Sequence, residues 1–321
     1  MPLADSRLSL TFTKKKKSVT VPQLFAPYID THGHITSLFN NSPAEIIARA
    51  ALAGCRGLIT LVDTVDDAVA AADFPAYLRN ALAGARKLLV DAEAPADTLT
   101  LLDNVRFLAG AHPYGAPRYT DAAHGQLLDL LDDPLCVGVG EIGLDYHVDV
   151  VDDVEPAPRD VQIACMERQL EVAVTRNLPV ELHLRHADDD IDRMSHNDAY
   201  ESLRRVGVPA AGCVLHCFGE DRQTMERFVG LGCFIAYGGA ATFKRNAEIR
   251  EAFAATPLDR ILFETDCPYM APEPIRGLEC EPAMAAITIN TLVNDRVDRT
   301  GEDAEAIERA AWENSCRLFG F

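Results

Sequence analysis

Six histidine and carboxylate side chains, far apart in the sequence, each stand at or just after the end of a short apolar run. They are His32, His34, Glu141, His183, His216 and Asp266. Imidazole nitrogens and carboxylate oxygens suit zinc, manganese or magnesium. Residues i and i+2 of an extended segment point the same way, so both rings of the His-x-His pair could reach one ion. The sequence therefore predicts a site for divalent cations.

Two members of this set could also take part in catalysis. Glu141 can present two oxygens and bridge two ions, whereas Asp266 can bind a metal and accept a proton from water. A bound cation lowers the pKa of water from about 15.7 toward about 7, which makes hydroxide available at neutral pH. Either residue alone is weak evidence, because a lone carboxylate after a strand can instead stabilise a helix start. As part of the set of six, both are predicted to be catalytic.

The elements that must position these side chains repeat regularly from residue 28 onward. Eight apolar runs alternate with amphipathic segments, and several runs are apolar throughout, as in strands covered on both faces. The predicted strands span 28–30, 57–62, 105–111, 136–140, 179–184, 213–216, 233–237 and 260–264. The predicted helices include 44–53, 122–131, 161–176, 222–230 and 246–255, and one or two closing helices within 283–318. This pattern indicates a (β/α)8 TIM barrel, in which the C-terminal strand ends converge on one face.

Residues 1–27 form an N-terminal extension that differs from the rest of the chain. Leu8, Leu10 and Phe12 alternate with polar residues, four lysines follow at 14–17, and Val19 and Val21 alternate again. This period-two pattern favours a short β-hairpin, with a disordered basic tail as the alternative. We predict a single barrel domain over 28–321, since about 250 residues suffice for one.

The formal net charge is −19. A surface this acidic repels polyanions at long range, which argues against broad, non-specific coating of DNA. It does not exclude a nucleic acid substrate, because a metal pair supplies local positive charge. Nine cysteines without a Cys-x-x-Cys pair indicate reduced thiols. Without a secretory pattern or a membrane-length apolar run, we expect a cytoplasmic protein with no membrane contact and no obligate protein partner.

Ordered motifs along most of the chain resemble those of the TatD family of metal-dependent hydrolases. They are Asp30-Thr31-His32-Gly33-His34, Gly140-Glu141-Ile142-Gly143-Leu144-Asp145-Tyr146, Leu182-His183-Leu184-Arg185-His186-Ala187, His216-Cys217-Phe218 and Glu264-Thr265-Asp266-Cys267-Pro268-Tyr269. Ala111-His112-Pro113, Arg276-Gly277 and Glu281-Pro282 resemble further landmarks. The resemblance implies an amidohydrolase-type barrel with two metal ions. Its members include deoxyribonucleases, often acting 3′ to 5′ on single strands.

The resemblance also implies how the six candidates are shared between the ions. His32 and His34 would hold the first ion together with Glu141 and Asp266. Glu141 would also reach the second ion, and the remaining ligands would be His183 and His216.

Five further residues are candidate contacts to the substrate. Arg185 and Arg276 could clamp phosphate through their planar forks. Tyr146 and Tyr269 could stack on a base, and His112 could face the substrate. The alternatives are a structural ion pair for each arginine, packing at the barrel rim for each tyrosine and a structural role for the histidine.

Three functions remain open from the sequence. The first is a phosphodiesterase or deoxyribonuclease that acts on DNA or another phosphodiester in the cleft. The second is a hydrolase of a small ester, amide or lactone, which is slightly favoured by Glu279, an acid where the family usually carries basic or Asn residues. The third is a non-catalytic metal-binding scaffold, which would not need an open water position.

Overall fold

Eight parallel strands form a nearly closed barrel, with a two-stranded antiparallel hairpin before it. The computed structural model describes residues 6–67, 69–148 and 155–321. The hairpin strands are β1 (Thr11–Lys14) and β2 (Lys17–Thr20). The barrel strands are β3 (Tyr28–Gly33), β4 (Cys55–Asp63), β5 (Val105–Gly110), β6 (Cys136–Asp145), β7 (Val180–Arg185), β8 (Cys213–Leu215), β9 (Phe234–Tyr237) and β10 (Ile261–Phe263). The predicted (β/α)8 barrel is confirmed.

Helices connect the barrel strands and cover the outside of the sheet. They are α1 (Pro43–Leu52), α2 (Phe74–Asp91), α3 (Thr100–Asp103), α4 (Asp121–Leu130), α5 (Arg159–Arg176), α6 (Met194–Val206), α7 (Arg222–Val229), α8 (Ala247–Ala255), α9 (Ala285–Thr300) and α10 (Ala304–Phe319). The predicted helices did not include α2, α3 or α6. Ser42 and Glu45 form a capping box that starts α1. Within the described ranges, no helix is both long and apolar enough to cross a membrane.

Apolar side chains pack on both faces of the barrel sheet. Inside the barrel, Ile59 and Leu61 of β4 belong to one cluster with Leu318 and Phe319 of α10. A Cβ on Gly212, just before β8, would lie 2.3 Å from Leu318 Cδ1. The end of α10 therefore packs against the N-terminal ends of the strands, and the opposite end of the barrel is left for the functional side chains.

Four barrel strands, β3, β4, β6 and β7, continue beyond their predicted C-terminal ends. β6 was expected to end at residue 140, but it runs to Asp145, so Glu141 lies inside the strand. The ladder with β7 resumes at Ile142 after a register shift and continues to the end of β6. Gly143 permits this pairing, because a Cβ there would lie 1.9 Å from the carbonyl oxygen of His183. His32 and His183 likewise lie within β3 and β7.

The barrel closes between β3 and β10 without a regular strand ladder. Among the described residues, a single isolated bridge joins Gly33 to Cys267. The Asp30 carboxylate accepts hydrogen bonds from the backbone N–H of Thr265 at 2.9 Å and from its hydroxyl at 2.7 Å. The Asp266 N–H donates to the His32 carbonyl at 3.0 Å. This closure, the barrel seam, is therefore held largely by individual hydrogen bonds.

The predicted N-terminal hairpin is present at residues 11–20, whereas residues 1–5 of the extension lie outside the described residues. Phe12 and Val19 pack against a buried cluster that includes Ile275 and Met284, in the segment after β10. The Lys14 ammonium donates to the carbonyl oxygen of Arg276. The hairpin is thus attached to the barrel on the side where the chain leaves β10.

Candidate metal centre

Four candidate ligands meet around one small volume at the C-terminal end of the barrel. The Nε2 atoms of His32 and His34 are 3.1 Å apart. Glu141 Oε2 lies 3.7 Å from the first of these nitrogens and 3.6 Å from the second, and Asp266 Oδ1 lies at the same two distances. A tetrahedral ion with ligands at about 2.1 Å separates its ligand atoms by about 3.4 Å. The five separations given above are therefore compatible with ligands of a single cation.

The other oxygen of Glu141 faces a second group of ligand atoms. Glu141 Oε1 lies 2.7 Å from His183 Nδ1 and 2.7 Å from His216 Nε2. The two nitrogens are 3.3 Å apart. One carboxylate thus directs each oxygen at a separate pair of imidazoles, which is the arrangement expected of a residue shared between two ions.

Burial and charge act in opposite directions on these groups. Burial raises the pKa of Glu141, but His216, His32 and His183 outweigh it and hold the pKa well below its ordinary value. Burial lowers the pKa of His183, but Asp145 and Glu141 raise it to about 9. The carboxylates therefore stabilise positive charge at this end of the barrel, which divalent cations would supply.

Buried carboxylates lie beside three of the imidazoles. Glu181 Oε1 lies 2.5 Å from His32 Nδ1, and Asp145 Oδ2 lies 2.9 Å from His183 Nε2. Glu264 Oε1 lies 3.8 Å from His216 Nδ1. The contacts of Glu181 and Asp145 are short enough for hydrogen bonds, which fix the ring and leave the other nitrogen for a metal. The distance from Glu264 to His216 is too long for such a bond.

Sequence reasoning did not assign these orienting roles. A signal was available for Glu181, which is a charged residue inside the otherwise apolar run from Val180 to Leu182. Asp145 and Glu264 lie within the family motifs, but their spacing in the sequence does not indicate which histidine each of them approaches.

Two of the predicted substrate contacts lie next to the candidate ligands. His112 Nε2 is 3.9 Å from Glu141 Oε1, and its ring is 4.5 Å from that of His183. Burial lowers the pKa of His112 to about 3, so its ring is neutral. The Tyr269 ring lies 6.3 Å from the His34 ring and is 46% exposed. Both side chains are therefore at the mouth of the centre.

The other three predicted contacts are placed differently. Arg185 ends β7, and its charge helps to lower the pKa of Asp145. The Tyr146 hydroxyl donates to Asp198 at 2.8 Å, and this carboxylate also pairs with Arg159. The Arg276 guanidinium lies 4.3 Å from the centre of the Phe243 ring, outside the group of candidate ligands. The structure therefore gives Tyr146 and Arg276 protein partners of their own.

A third group of possible ligands lies beside β7 and β8. Glu220 Oε1 is 3.2 Å from His186 Nδ1 and 3.7 Å from His196 Nε2. The Arg193 guanidinium already pairs with the other oxygen of Glu220 at 2.5 Å. This arginine supplies the positive charge that a cation would otherwise bring.

A parallel barrel with a His-x-His pair and a carboxylate directed at two groups of imidazoles is typical of metal-dependent hydrolases. The family described as TatD related DNase matches residues 29–320, and the chain belongs to this family. The uncharacterized metal-dependent hydrolase YcfH of Escherichia coli K12 is 33% identical over 217 residues, which cover 68% of this chain and 74% of that protein.

Two further similarities bear on activity and fold. The 3′-5′ ssDNA/RNA exonuclease TatD of Erwinia billingiae is 30% identical over 217 residues, covering 66% of this chain and 76% of that protein. The crystal structure of the TatD homologue YJJV from E. coli K12 superposes with a TM-score of 0.70 and 27% identity, covering 93% of this chain and all of that one.

Proposed function

We propose that this chain is a two-metal phosphodiesterase that removes nucleotides from single-stranded DNA in the 3′-to-5′ direction. The observation that carries the proposal is the placement of Glu141, whose two oxygens face two separate groups of candidate ligands. Two cations several ångströms apart suit in-line displacement at phosphorus, because one side of the transition state carries the attacking oxygen and the other the leaving oxygen.

The first ion would be held by His32, His34, Glu141 and Asp266, and the second by Glu141, His183 and His216. The ions, which we expect to be Zn²⁺, Mn²⁺ or Mg²⁺, would lower the pKa of a water molecule and neutralise charge on the phosphate. Mixed imidazole and carboxylate sites accept several of these metals. Glu181 and Asp145 would keep the rings of His32 and His183 in the binding orientation.

Asp266 would accept the proton of the attacking water and pass it to the leaving oxygen. Its side chain is 14% exposed, whereas that of His32 is fully buried. Among the ligands of the first ion, Asp266 is therefore better placed than His32 to reach both solvent and substrate. Its backbone N–H is fixed to the His32 carbonyl across the barrel seam, which holds the carboxylate beside the metal site.

The remaining residues of the mouth would position the substrate. His112, neutral and next to Glu141, could donate a hydrogen bond to a phosphate oxygen without adding charge. Arg185 could pair with the phosphate from the end of β7, and Tyr269 could stack on the terminal base. A 3′-to-5′ polarity is supported by the exonuclease relative from Erwinia.

The proposal is tested with single-stranded DNA labelled at its 5′ end and incubated with the purified protein and Mg²⁺, Mn²⁺ or Zn²⁺. Stepwise shortening that disappears in Asp266→Asn is the expected result. Cleavage of activated esters with DNA left intact would replace the proposal by a small-ester hydrolase. Absence of both activities with every metal would favour a binding scaffold.

A further inference from the structure

Lysine is distributed very unevenly in this acidic chain. Of its six lysines, four lie at 14–17 and one is Lys244, so Lys87 stands apart from the rest. Lys15, Lys16 and Lys17 are exposed at the turn of the N-terminal hairpin. Five of the six lysines of this chain, whose net charge is −19, thus lie either in the segment 14–17 or in the short segment that holds Lys244 and Arg245.

The structure brings these two segments to the same loop. Lys14 donates to the Arg276 carbonyl, and the Arg276 guanidinium stacks over Phe243, the residue before Lys244. Lys244 and Arg245 are both exposed. The hairpin lysines and the pair at 244–245 are therefore both linked to Arg276, the first through Lys14 and the second through Phe243. We call this set of basic residues the basic patch.

Two exposed aromatic side chains lie beside the metal centre. Phe39 is 65% exposed, and its ring lies 6.2 Å from the Tyr269 ring, which in turn approaches His34. Phe39 and Tyr269 are among seven large apolar side chains that remain exposed in the described part of the chain. Neighbouring aromatic rings at a catalytic mouth offer stacking surfaces for bases.

A network around Glu279 fixes the aromatic pair relative to the basic patch. The Glu279 carboxylate accepts backbone hydrogen bonds from Phe39, Asn40 and Asn41, and a side-chain bond from Asn41 at 2.6 Å. Burial raises the pKa of Glu279, but these bonds outweigh it and lower the pKa. Glu279 thus joins the loop of Phe39 to the loop of Arg276, and these hydrogen bonds stabilise the negative charge of its carboxylate.

We propose that single-stranded nucleic acid runs from the metal centre across Tyr269 and Phe39 to the basic patch. Bases stack on the two rings, and phosphates beyond them contact the hairpin lysines and Arg276. This inference deepens the proposed function and rests on it, but it concerns residues 11–20, which precede the region matched by the family. It explains how so acidic a chain can retain a polyanion near its centre.

Binding is measured by fluorescence anisotropy with a phosphorothioate oligothymidylate and the metal-loaded protein, across a series of salt concentrations. The double variant Lys16→Glu/Lys17→Glu is compared with the parent. The matched control, Arg86→Glu/Lys87→Glu, makes the same charge change on α2. We expect the hairpin variant to bind on the order of tenfold or more weakly, and its salt slope to fall by about 0.7 for each phosphate that the lysines no longer neutralise.

The stacking part is tested with Phe39→Ala and Phe39→Leu. Because a base needs an aromatic face, both variants should bind oligothymidylate roughly tenfold more weakly. Phe39→Leu binding like the parent would contradict stacking, as would equal affinity of the parent for blunt duplex DNA.

Three outcomes separate this inference from the proposed function. Equal weakening by the α2 control would show a net-charge effect and overturn the basic patch. Loss of binding to anionic lipid vesicles, with oligothymidylate binding unchanged, would assign the patch to a membrane surface instead. Tight binding of oligothymidylate that depends on the hairpin lysines, with no DNA cleavage in the presence of any of the metals, would support the inference and refute the proposed phosphodiesterase activity.

Discussion

His32 Nδ1 and Glu181 Oε1 lie 2.5 Å apart, and both side chains are fully buried. A carboxylate in this position accepts the Nδ1 proton and leaves the Nε2 lone pair for a metal. Burial raises the pKa of Glu181 well above its ordinary value, so the charged form is retained only at a cost. We interpret this buried pair as a device that fixes the ring of His32.

Glu181→Gln should weaken metal binding by about ten- to a hundredfold, because the amide is a weaker acceptor for the Nδ1 proton. Metal affinity is measured by titration of the metal-free protein. Glu308→Gln is the control, since Glu308 is a buried carboxylate of α10 that accepts hydrogen bonds from the backbone of Phe25 and Ala26 and is not among the candidate ligands. An affinity like that of the parent in Glu181→Gln would contradict the orienting role.

Glu141→Ala should reduce the metal content of the protein below that of the parent, by one or both ions. The physical reason is that its two oxygens face the two groups of candidate ligands, so that its loss removes a negative ligand from each. Elemental analysis of protein purified without chelator gives the result. Glu226→Ala, which removes an exposed partner of Arg222, serves as the control. Unchanged metal content would refute the bridging role.

Arg49→Met should lower the free energy of unfolding by about 3–5 kcal/mol, because it leaves the Glu281 carboxylate buried and unpaired. The Arg49 guanidinium binds this carboxylate through Nε at 2.7 Å and Nη2 at 2.5 Å. Urea denaturation measures the change. Arg49→Met/Glu281→Gln should recover part of the loss, and the exposed pair of Arg79 and Asp133 provides a control, since Arg79→Met should cost at most about 1 kcal/mol. A loss that small in Arg49→Met would disprove the argument.

His196 should make the fold sensitive to acid. Burial, with nearby His186 and Arg193, lowers its pKa from 6.5 to about 3. Below about pH 6.5 the unfolded chain therefore binds a proton that the folded chain does not. The stability from this group is complete above that pH and is lost as the pH falls toward about 3.

His196→Gln should accordingly flatten the fall in unfolding free energy between about pH 7.5 and about pH 5.5, by at most about 1.4 kcal/mol for each pH unit. Glu220, the acid that faces His196, has a raised pKa because of burial and acts in the opposite direction. It is unchanged in His196→Gln, so the comparison is made between the profiles of this variant and the parent. His124→Gln, at a half-buried site, should change the profile less. Parallel profiles for His196→Gln and the parent would exclude the effect.

The periodic pattern of the sequence predicted every barrel strand and the hairpin, because buried strands and amphipathic helices leave a local signature. It placed the C-terminal end of β6 too early. β6 continues through Glu141 to Asp145, but the charged residue interrupts the apolar run from which this strand was predicted. Partners distant in sequence, such as Arg49 and Glu281, leave no periodic signal at all.

The candidate ligands could be selected from the sequence because residue type and strand-end position converge in a barrel. In the structure all six side chains lie close to one another, but their roles as ligands stay predictions. Tyr146 illustrates what spacing cannot supply, because its hydroxyl bond to Asp198 depends on how α6 packs beside β6.

The barrel seam has a consequence for how the protein would respond to chelators. His32 and His34 stand on one side of this junction and Asp266 on the other, so an ion held by all three would tie the first barrel strand to the segment that follows the last. Removal of that ion would leave the hydrogen bonds between Asp30 and Thr265 and a few backbone hydrogen bonds to keep the barrel closed. Amide hydrogens along this line should then exchange with deuterium sooner than those between β4 and β5, which a full ladder protects.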